Sequence, residues 1–158
     1  MFRNLRKSHL TMNNEEALEV LEQGEYGVVS VIGPDGYPYG VPMSYVVMDG
    51  HIYFHGDQIG HKMECLEHSN KVCFTVIGKT QLLPEILDTD YESVVVFGTA
   101  TEVDGQEKEQ ALMGLVSKYS PGFEAKGLKS MENEFDITAV IKIEIKHITG
   151  KLRWGDQR

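Results

Sequence analysis

The sequence has little cysteine and no long apolar run, and both shortages limit the class of protein. Cys65 and Cys73 are its two cysteines, too few for a disulfide scaffold and without the spacing of a CxxC motif. No stretch approaches the roughly 20 apolar residues of a membrane helix. The basic N-terminus also lacks the apolar core of a secretory signal. We therefore expect a reduced, cytoplasmic protein that does not interact with a membrane.

Positive charge is scarce as well. The 158 residues include 15 Lys and Arg against 24 Asp and Glu, which gives a formal net charge of -9. A general nucleic-acid surface needs clustered Lys and Arg, so no nucleic-acid partner is expected. The sequence has no internal repeat or long linker. We interpret residues 1–158 as a single domain with tails at residues 1–10 and 150–158.

The short fingerprints of several common enzyme classes are absent. The sequence contains no GxGxxG after a strand, no GxxxxGK[ST], no HExxH and no GxSxG. These absences argue against a Rossmann dinucleotide site, a P-loop nucleotide site, a zincin and a serine hydrolase of the usual kind.

The hydrophobic pattern predicts a mainly β protein. Short β-branched and aromatic runs separated by the turn sequences GPDG and MDG predict an antiparallel meander near the start of the chain. Because no helix separates the first three strands, a β-barrel of about six mostly antiparallel strands with peripheral helices is favoured over a doubly wound sheet. The predicted strands are 26–32, 40–48, 51–55, 71–77, 91–103 and 137–149, with an irregular link at 79–90. The three predicted helices lie between Asn13 and Gly24, at 60–69 and at 106–119.

The most informative segment is IYFHGDQIGHKMECL, residues 52–66, where a predicted strand leads into a predicted helix. Gly60 allows a close backbone approach, and the free N–H groups of the next turn carry the positive end of the helix dipole. Lys62 adds a positive charge and His61 adds a ring donor. A lysine in the first turn opposes the dipole, which favours a bound anion, and a phosphate fits best. The alternative is that His61 and Lys62 are solvated residues at a helix start.

Four histidines between residues 51 and 68 invite a metal interpretation. His51 and His55 lie on one face of a strand, about 13 Å apart at ~3.3 Å per residue. His61 and His68 are separated by two helical turns. Neither pair can share one ion, so we expect no metal site.

An ordered set of motifs resembles the pyridoxamine-phosphate-oxidase-like flavin-binding proteins, and most of all their nitroimidazole-resistance branch. The similarity extends over roughly residues 8–151 and depends on the combination of motifs, since none is specific alone. The motifs are GYPYGVP, IYFHG, GHK, NKVCFTV and YESVVVFG.

The resemblance implies a split β-barrel that forms a homodimer, with FMN bound in a cleft between the subunits and FAD as an alternative. It implies that Gly60, His61 and Lys62 hold the flavin phosphate. The isoalloxazine ring would lie along the strand pair 41–45 and 52–55, and the partner subunit would contribute from residues 91–97. Each apolar strand residue of this set would also suit a barrel core. The remaining expected cofactor-binding residues are Val41, Pro42, Met43, Ser44, Tyr45, Tyr53, Phe54, His55, Ser93, Val95 and Trp154.

His55 is the predicted catalytic residue, because it ends an apolar strand before a glycine and an imidazole can donate a proton near neutral pH. The expected activity is flavin-dependent reduction of a small planar acceptor, for example a nitroaromatic such as a 5-nitroimidazole. Three alternatives stay open. In the first, His55 is only a hydrogen-bonded residue at the barrel rim. In the second, the protein is a flavin-binding module without turnover. In the third, it is a haem-binding barrel with His55 or His61 as axial ligand. The C-terminal KLRWGDQR lacks a convincing match to the substrate-binding tail of the family's oxidases, so pyridoxamine-phosphate oxidation is not expected.

Overall fold

The computed structural model describes residues 2–3 and 5–155. Within them, seven strands form one antiparallel sheet in the spatial order β2-β1-β5-β6-β7-β4-β3, with four α-helices around it. The mainly β prediction is therefore confirmed, with one strand and one helix more than expected. The strands are β1 (Gly27–Ile32), β2 (Pro38–Met43), β3 (Val46–Met48), β4 (His51–Asp57), β5 (Lys71–Leu83), β6 (Asp88–Val103) and β7 (Thr138–Arg153). The helices are α1 (Asn14–Gln23), α2 (His61–His68), α3 (Gly105–Tyr119) and α4 (Glu124–Glu134).

The predicted strand 40–48 consists of two strands on opposite edges of the sheet. β2 pairs with β1, whereas β3 pairs with β4, and three long strands separate the two hairpins. The predicted meander of the first three strands is therefore wrong. Ser44 and Tyr45 alone connect β2 to β3, and two residues span only about 7 Å. The two edges must consequently lie close together, so the sheet curls into a barrel.

The ends of the long strands also differ from the sequence-based expectation. The link 79–90 is not irregular, because β5 and β6 continue to pair as far as Leu83 and Asp88 after a register shift beyond Ile77. β7 extends to Arg153, so residues 150–153 belong to the sheet and not to a tail. The Arg153 guanidinium donates to the Thr89 carbonyl oxygen at 3.0 Å and pairs with the Asp88 carboxylate. These contacts hold the end of β7 against the start of β6.

α1 begins and ends where the sequence predicts. The Asn13 side chain accepts a hydrogen bond from the Glu16 backbone N–H at 2.9 Å, and the Glu16 carboxylate accepts one from the Asn13 N–H at 2.8 Å. This reciprocal capping box satisfies two N–H groups that the helix itself leaves free. Gly24 ends the helix, since its N–H donates to the Val20 carbonyl. The prediction for α1 is confirmed.

Adjacent residues of β4 face two different apolar clusters, because successive strand side chains point to opposite faces. Phe54 is fully buried inside the barrel, where its neighbours include Phe74 and Tyr45. Tyr53 faces outward and packs under α3, against side chains that include Leu112 and Leu115. His55 lies on the Tyr53 side of the strand and Gly56 on the Phe54 side. The alternation therefore places His55 outside the barrel, on the side of α3, and Gly56 on the side of the barrel interior.

One tyrosine holds the β2–β3 corner in place. The Tyr119 hydroxyl, at the end of α3, accepts a hydrogen bond from the Tyr45 N–H at 2.9 Å. It lies 2.6 Å from the Glu25 carbonyl oxygen, to which it donates. The Tyr45 hydroxyl in turn donates to the Leu21 carbonyl oxygen at the end of α1. These bonds tie α1, α3 and the corner into one unit.

We expect Tyr119→Phe to lower the free energy of unfolding by about 1–3 kcal/mol, because it leaves the Tyr45 N–H and the Glu25 carbonyl without their partner. Urea denaturation followed by circular dichroism measures this change. Tyr37→Phe is the matched control, since Tyr37 is 75% exposed, and it should change stability by less than about 0.5 kcal/mol. Equal stability of Tyr119→Phe and the unaltered protein would contradict the role of this hydroxyl.

Candidate functional site

The start of α2 is open, in contrast to the fully capped start of α1. Gly60 precedes the helix with φ 122° and ψ 170°, and no side chain caps the first turn. This φ is one that side-chain-bearing residues rarely adopt, and a Cβ at Gly60 would have no neighbour within 4 Å. The His61 and Lys62 N–H groups lie too early in the helix to have an intrahelical partner, whereas the Met63 N–H donates to the Gly60 carbonyl oxygen, and the positive end of the helix dipole lies here. Such a helix start can bind an anion.

Lys62 lies beside this helix start and packs back onto β4. Its ammonium is 5.6 Å from the centroid of the Phe54 ring. It occupies the space that a side chain at Gly56 would need, because a Cβ there would lie 2.4 Å from the Lys62 Nζ. Burial lowers the pKa of Lys62, and Asp57 partly opposes this effect. No described carboxylate lies within ion-pair distance of the Lys62 ammonium, so its positive charge remains available to a ligand.

His61 turns away from Lys62, toward the β1–β2 hairpin. Its ring is 4.8 Å from the ring of Tyr39. Its Nδ1 lies 3.5 Å from the Glu64 carboxylate and its Nε2 lies 3.7 Å from the Cys65 sulfur. Both ring nitrogens therefore have protein neighbours. The predicted anion site at Gly60–Lys62, called the Gly60–Lys62 corner below, therefore depends on its backbone and on Lys62, because the His61 side chain contacts Tyr39, Glu64 and Cys65 instead.

His55 lies on the opposite face of β4 from Phe54, at the edge of a cleft of about 210 Å³ between α3 and α4. Partial burial lowers the pKa of His55, the Lys62 ammonium lowers it further, and the Glu134 carboxylate opposes both effects. The imidazole is consequently mostly neutral at pH 7, and it can donate or accept one hydrogen bond at each nitrogen. The sequence singled out His55 but gave no signal for Glu134, which is 79 positions away in the chain.

The residues expected along the isoalloxazine ring lie in two separate places. β2 and β4 are not hydrogen bonded to each other, because β2 is one edge of the sheet and β4 is the strand next to the other edge. On the β2 side, Val41 and Met43 pack against the barrel core, while Pro42 and Ser44 are exposed. Tyr45 is fully buried. The β2 segment is connected to the side of the sheet that contains β4 only through Ser44 and Tyr45, which link the two edge strands.

Tyr53 and Phe54 are both buried, and the Tyr53 hydroxyl already has a partner. It donates to the Glu107 carboxylate at 2.7 Å, and the Lys142 ammonium donates to the same oxygen at 2.8 Å. The network joins α3 to β4 and β7. Its members are far apart in the chain and match no motif, so the sequence did not reveal it. It occupies the polar atom of Tyr53 and leaves this residue a packing role.

Ser93 and Val95 lie on the outer face of the sheet. Ser93 is opposite Ile77 on β5, and Val95 is opposite Thr75 and Thr149 on its two neighbours. Large apolar side chains are exposed on this face, with Ile77 at 68% and Phe97 at 39%. Trp154 follows β7 and is also partly exposed. Ser93 and Val95 thus lie on β6 and Trp154 directly after β7, whereas residues 60–62 lie at the start of α2.

Another cavity lies away from the predicted residues. It has a volume of about 460 Å³ and is formed where the end of α1 meets β1 and β5, with Tyr26, Lys79 and Glu92 among its lining.

The described residues bring no group of three His, Cys, Asp or Glu side chains into a metal-binding arrangement. None of the described helices combines the length and the apolar character needed to cross a bilayer.

The curled antiparallel sheet with helices at its ends is a split β-barrel, as predicted. The sequence profile described as pyridoxamine 5'-phosphate oxidase matches residues 13–152. The chain therefore belongs to the pyridoxamine 5'-phosphate oxidase family. No curated protein is significantly similar to it in sequence.

Solved structures share the fold at low sequence identity. A Bacteroides thetaiotaomicron protein assigned provisionally to 5-nitroimidazole antibiotic resistance is 22% identical with a TM-score of 0.72, over 89% of this chain and 85% of that one. An FAD and heme binding protein from Mycobacterium smegmatis is 20% identical with a TM-score of 0.74, over 92% and 74% of the two chains. A conserved hypothetical protein from Mycobacterium tuberculosis is 18% identical with a TM-score of 0.77, over 94% and 90%. At these identities the likeness establishes the fold alone.

The lowered pKa of His55 has a measurable consequence for stability. Because the folded-state pKa lies below the ordinary value of 6.5, the unfolded chain binds a proton more readily, and the free energy of unfolding should decrease as the pH falls below about 6.5. NMR of the imidazole C–H signals measures the pKa directly, with the His55 signal assigned by its loss in His55→Gln. The same variant should have a weaker pH dependence of stability in this range. A His55 signal that titrates above 6.5 would contradict the prediction.

Proposed function

We propose that this protein binds FMN and passes electrons from it to a small planar acceptor, as a flavin-dependent oxidoreductase similar to the nitroimidazole-resistance branch of its family. The observation that carries the proposal is the uncapped start of α2 with the unpaired Lys62 ammonium beside it. An anion-binding helix start next to a lysine suits a phosphate. The solved relatives include one that binds FAD and heme and one assigned provisionally to nitroimidazole resistance, which supports a flavin as the class of cofactor and a nitroaromatic as the acceptor.

The phosphate of FMN would be held by the His61 and Lys62 backbone N–H groups and by the Lys62 ammonium. Gly60 keeps the approach clear, since it presents no side chain. A flavin bound here supplies the electron-transfer chemistry, and the protein contributes binding, orientation and the exclusion of water. The terminal phosphate favours FMN, although FAD carries phosphates that suit the same corner.

His55 would supply a hydrogen bond or a proton to the acceptor. Its neutral imidazole carries one N–H and lies at the edge of the cleft between α3 and α4. The nearby Lys62 ammonium disfavours protonation of the His55 ring, because that would place two positive charges close together. A hydrogen bond from a neutral ring is therefore its main contribution at pH 7, and protonation of the ring becomes important as the pH falls.

The proposal includes a homodimer with flavin at the interface. The outer face of the sheet exposes the large apolar side chains of Ile77 and Phe97, and exposed apolar side chains of this kind suit an interface with a second subunit. Ser93 and Val95 lie in the middle of this face and would reach the flavin of the second subunit.

We expect Ile77→Asp to convert the dimer to a monomer in analytical ultracentrifugation, whereas Met113→Asp on the exposed side of α3 should leave the mass unchanged. A monomer before any substitution would refute this part of the proposal.

The cofactor can be identified from the absorption spectrum and mass of the material that copurifies with the protein. A flavin spectrum, followed by reoxidation of the reduced protein by 2-methyl-5-nitroimidazole, would support the proposal. A flavin that no acceptor reoxidises would indicate a binding module, and a Soret band would indicate a haem protein. A protein that takes up neither group on reconstitution would refute the flavin assignment.

Lys62→Ala should weaken the binding of FMN by about 10- to 100-fold, which corresponds to the ~1.5–3 kcal/mol of a hydrogen bond between charged groups. Riboflavin lacks the phosphate, so its affinity should change little. Titration of the apoprotein with each ligand by flavin fluorescence gives both dissociation constants. Lys71→Ala, an exposed lysine at the start of β5, is the control. Equal losses for FMN and riboflavin would remove the phosphate role of Lys62.

His55→Gln should retain the flavin but slow its reoxidation by the acceptor at least about tenfold, because a side-chain amide cannot transfer a proton. Stopped-flow absorbance of the reduced protein mixed with 2-methyl-5-nitroimidazole measures this rate. An unchanged rate would leave His55 with a structural role only.

A further inference from the structure

The cleft beside His55 is separate from the Gly60–Lys62 corner. It lies between α3 and α4 on the outer side of β4 and has a volume of about 210 Å³. Its position on the other face of β4 follows from the alternation that directs Phe54 into the barrel and His55 away from it. The cleft is therefore a second space next to the predicted catalytic residue, and the phosphate corner does not account for it.

The walls of the cleft are apolar and its rim is polar. Leu112, Leu115 and Val116 form the α3 side, and Met131 closes the α4 side. The polar groups at the rim are on β4, α4 and β7. They are His55, Ser130, Glu134 and Thr138. Apolar walls with a few convergent polar groups are typical of small-molecule sites.

The size of the cleft limits the ligand. A cavity of 150 Å³ with apolar walls accommodates benzene. A space of about 210 Å³ is therefore large enough for one five- or six-membered ring with one or two small substituents. A fused tricyclic ring system such as a flavin is too large for it. The chemical class that fits is a single planar ring with one polar edge.

α4 covers this cleft without being anchored by a buried side chain of its own. None of its residues is fully buried, and it passes close to α3 at Gly127, where a Cβ would lie 2.6 Å from a Val116 methyl carbon. The helices thus approach closely at this glycine, and Gly127 and Glu134 both line the cleft. This arrangement leaves room for a ligand between two helices that touch elsewhere.

We propose that the α3–α4 cleft binds the acceptor, a single-ring planar molecule with a polar edge, and that Glu134 is the positioning residue that orients the His55 imidazole toward that edge. The inference rests on the proposed function for the identity of the reaction, but the binding and the orientation do not require it. His55 and Glu134 line the same cleft, and a Glu134 carboxylate turned to accept from one ring nitrogen would leave the other nitrogen for the ligand.

The charges around His55 come from two helices. Lys62 approaches from α2 and Glu134 from α4, and they shift the pKa of His55 in opposite directions. The α3 residues and the β7 residue that line the cleft are uncharged. Removing the Glu134 charge therefore leaves Lys62 as the nearest charge acting on His55.

The orientation is tested with Glu134→Gln and, as a matched control, Glu132→Gln at an exposed position of the same helix. Glu134→Gln should lower the pKa of His55, measured by NMR of its imidazole signals, and should shift the pH profile of flavin reoxidation to lower pH. Glu132→Gln should change neither. A His55 pKa that is the same in both variants would overturn the role of Glu134.

Binding in the cleft is tested with methyl-labelled full-length protein and 2-methyl-5-nitroimidazole as the probe. The methyl signals of Leu112, Leu115 and Met131 should shift on titration. Ser130→Phe should weaken that binding at least tenfold, because Ser130 is exposed and a ring there fills the cleft without disturbing the core. Ser117→Phe, at an exposed position of α3 outside the cleft, should not. Shifts confined to other methyl groups, or equal binding in both variants, would overturn the assignment.

The two proposals fail in different ways. Cleft methyl shifts without any reoxidation of reduced protein would refute the proposed function and support the binding site. Reoxidation that is unaffected by Ser130→Phe would refute the binding site and leave the proposed function intact.

Discussion

The closure of the barrel depends on two residues that carry the chain from one edge of the sheet to the other. Ser44 and Tyr45 must cross between β2 and β3, and they can do so only if the two edges lie within a few ångströms. The hydroxyl groups of Tyr119 and Tyr45 hold this crossing against α1 and α3. The crossing also carries the chain into the β3–β4 hairpin, which contains His55.

Local sequence signals predicted the local elements well. The capping box at Asn13 and Glu16 identifies α1, and the β-branched runs identify most strands. The change of sheet edge at Ser44 was not visible, because an uninterrupted apolar run has the same pattern whether its halves share partners or not. α4 was also missed. It buries no residue fully, so it lacks the strong apolar periodicity by which a helix is recognised.

In the candidate site, too, the local features were predictable from the sequence and the long-range contacts were not. Gly60 and Lys62 are local to one helix start, and spacing alone predicts their arrangement. The direction of the His61 side chain depends on Tyr39 and Cys65, and the surroundings of His55 depend on Glu134, which is distant in the chain. Long-range contacts of this kind are set by topology, and a single sequence does not encode them in a readable pattern. The family match explains why the motifs occur together, although each is weak alone.

The position of the Lys62 ammonium over Gly56 links two sites that a sequence comparison would treat as independent. Any side chain at position 56 would require the amine to move from its present place over the glycine. A shorter residue at position 62 would leave an unfilled space over the glycine and no charge at the corner. Substitutions at these two positions should therefore be tolerated in pairs more readily than singly. A relative with a residue larger than glycine at position 56 would need a source of positive charge other than the lysine at position 62 to bind an anion.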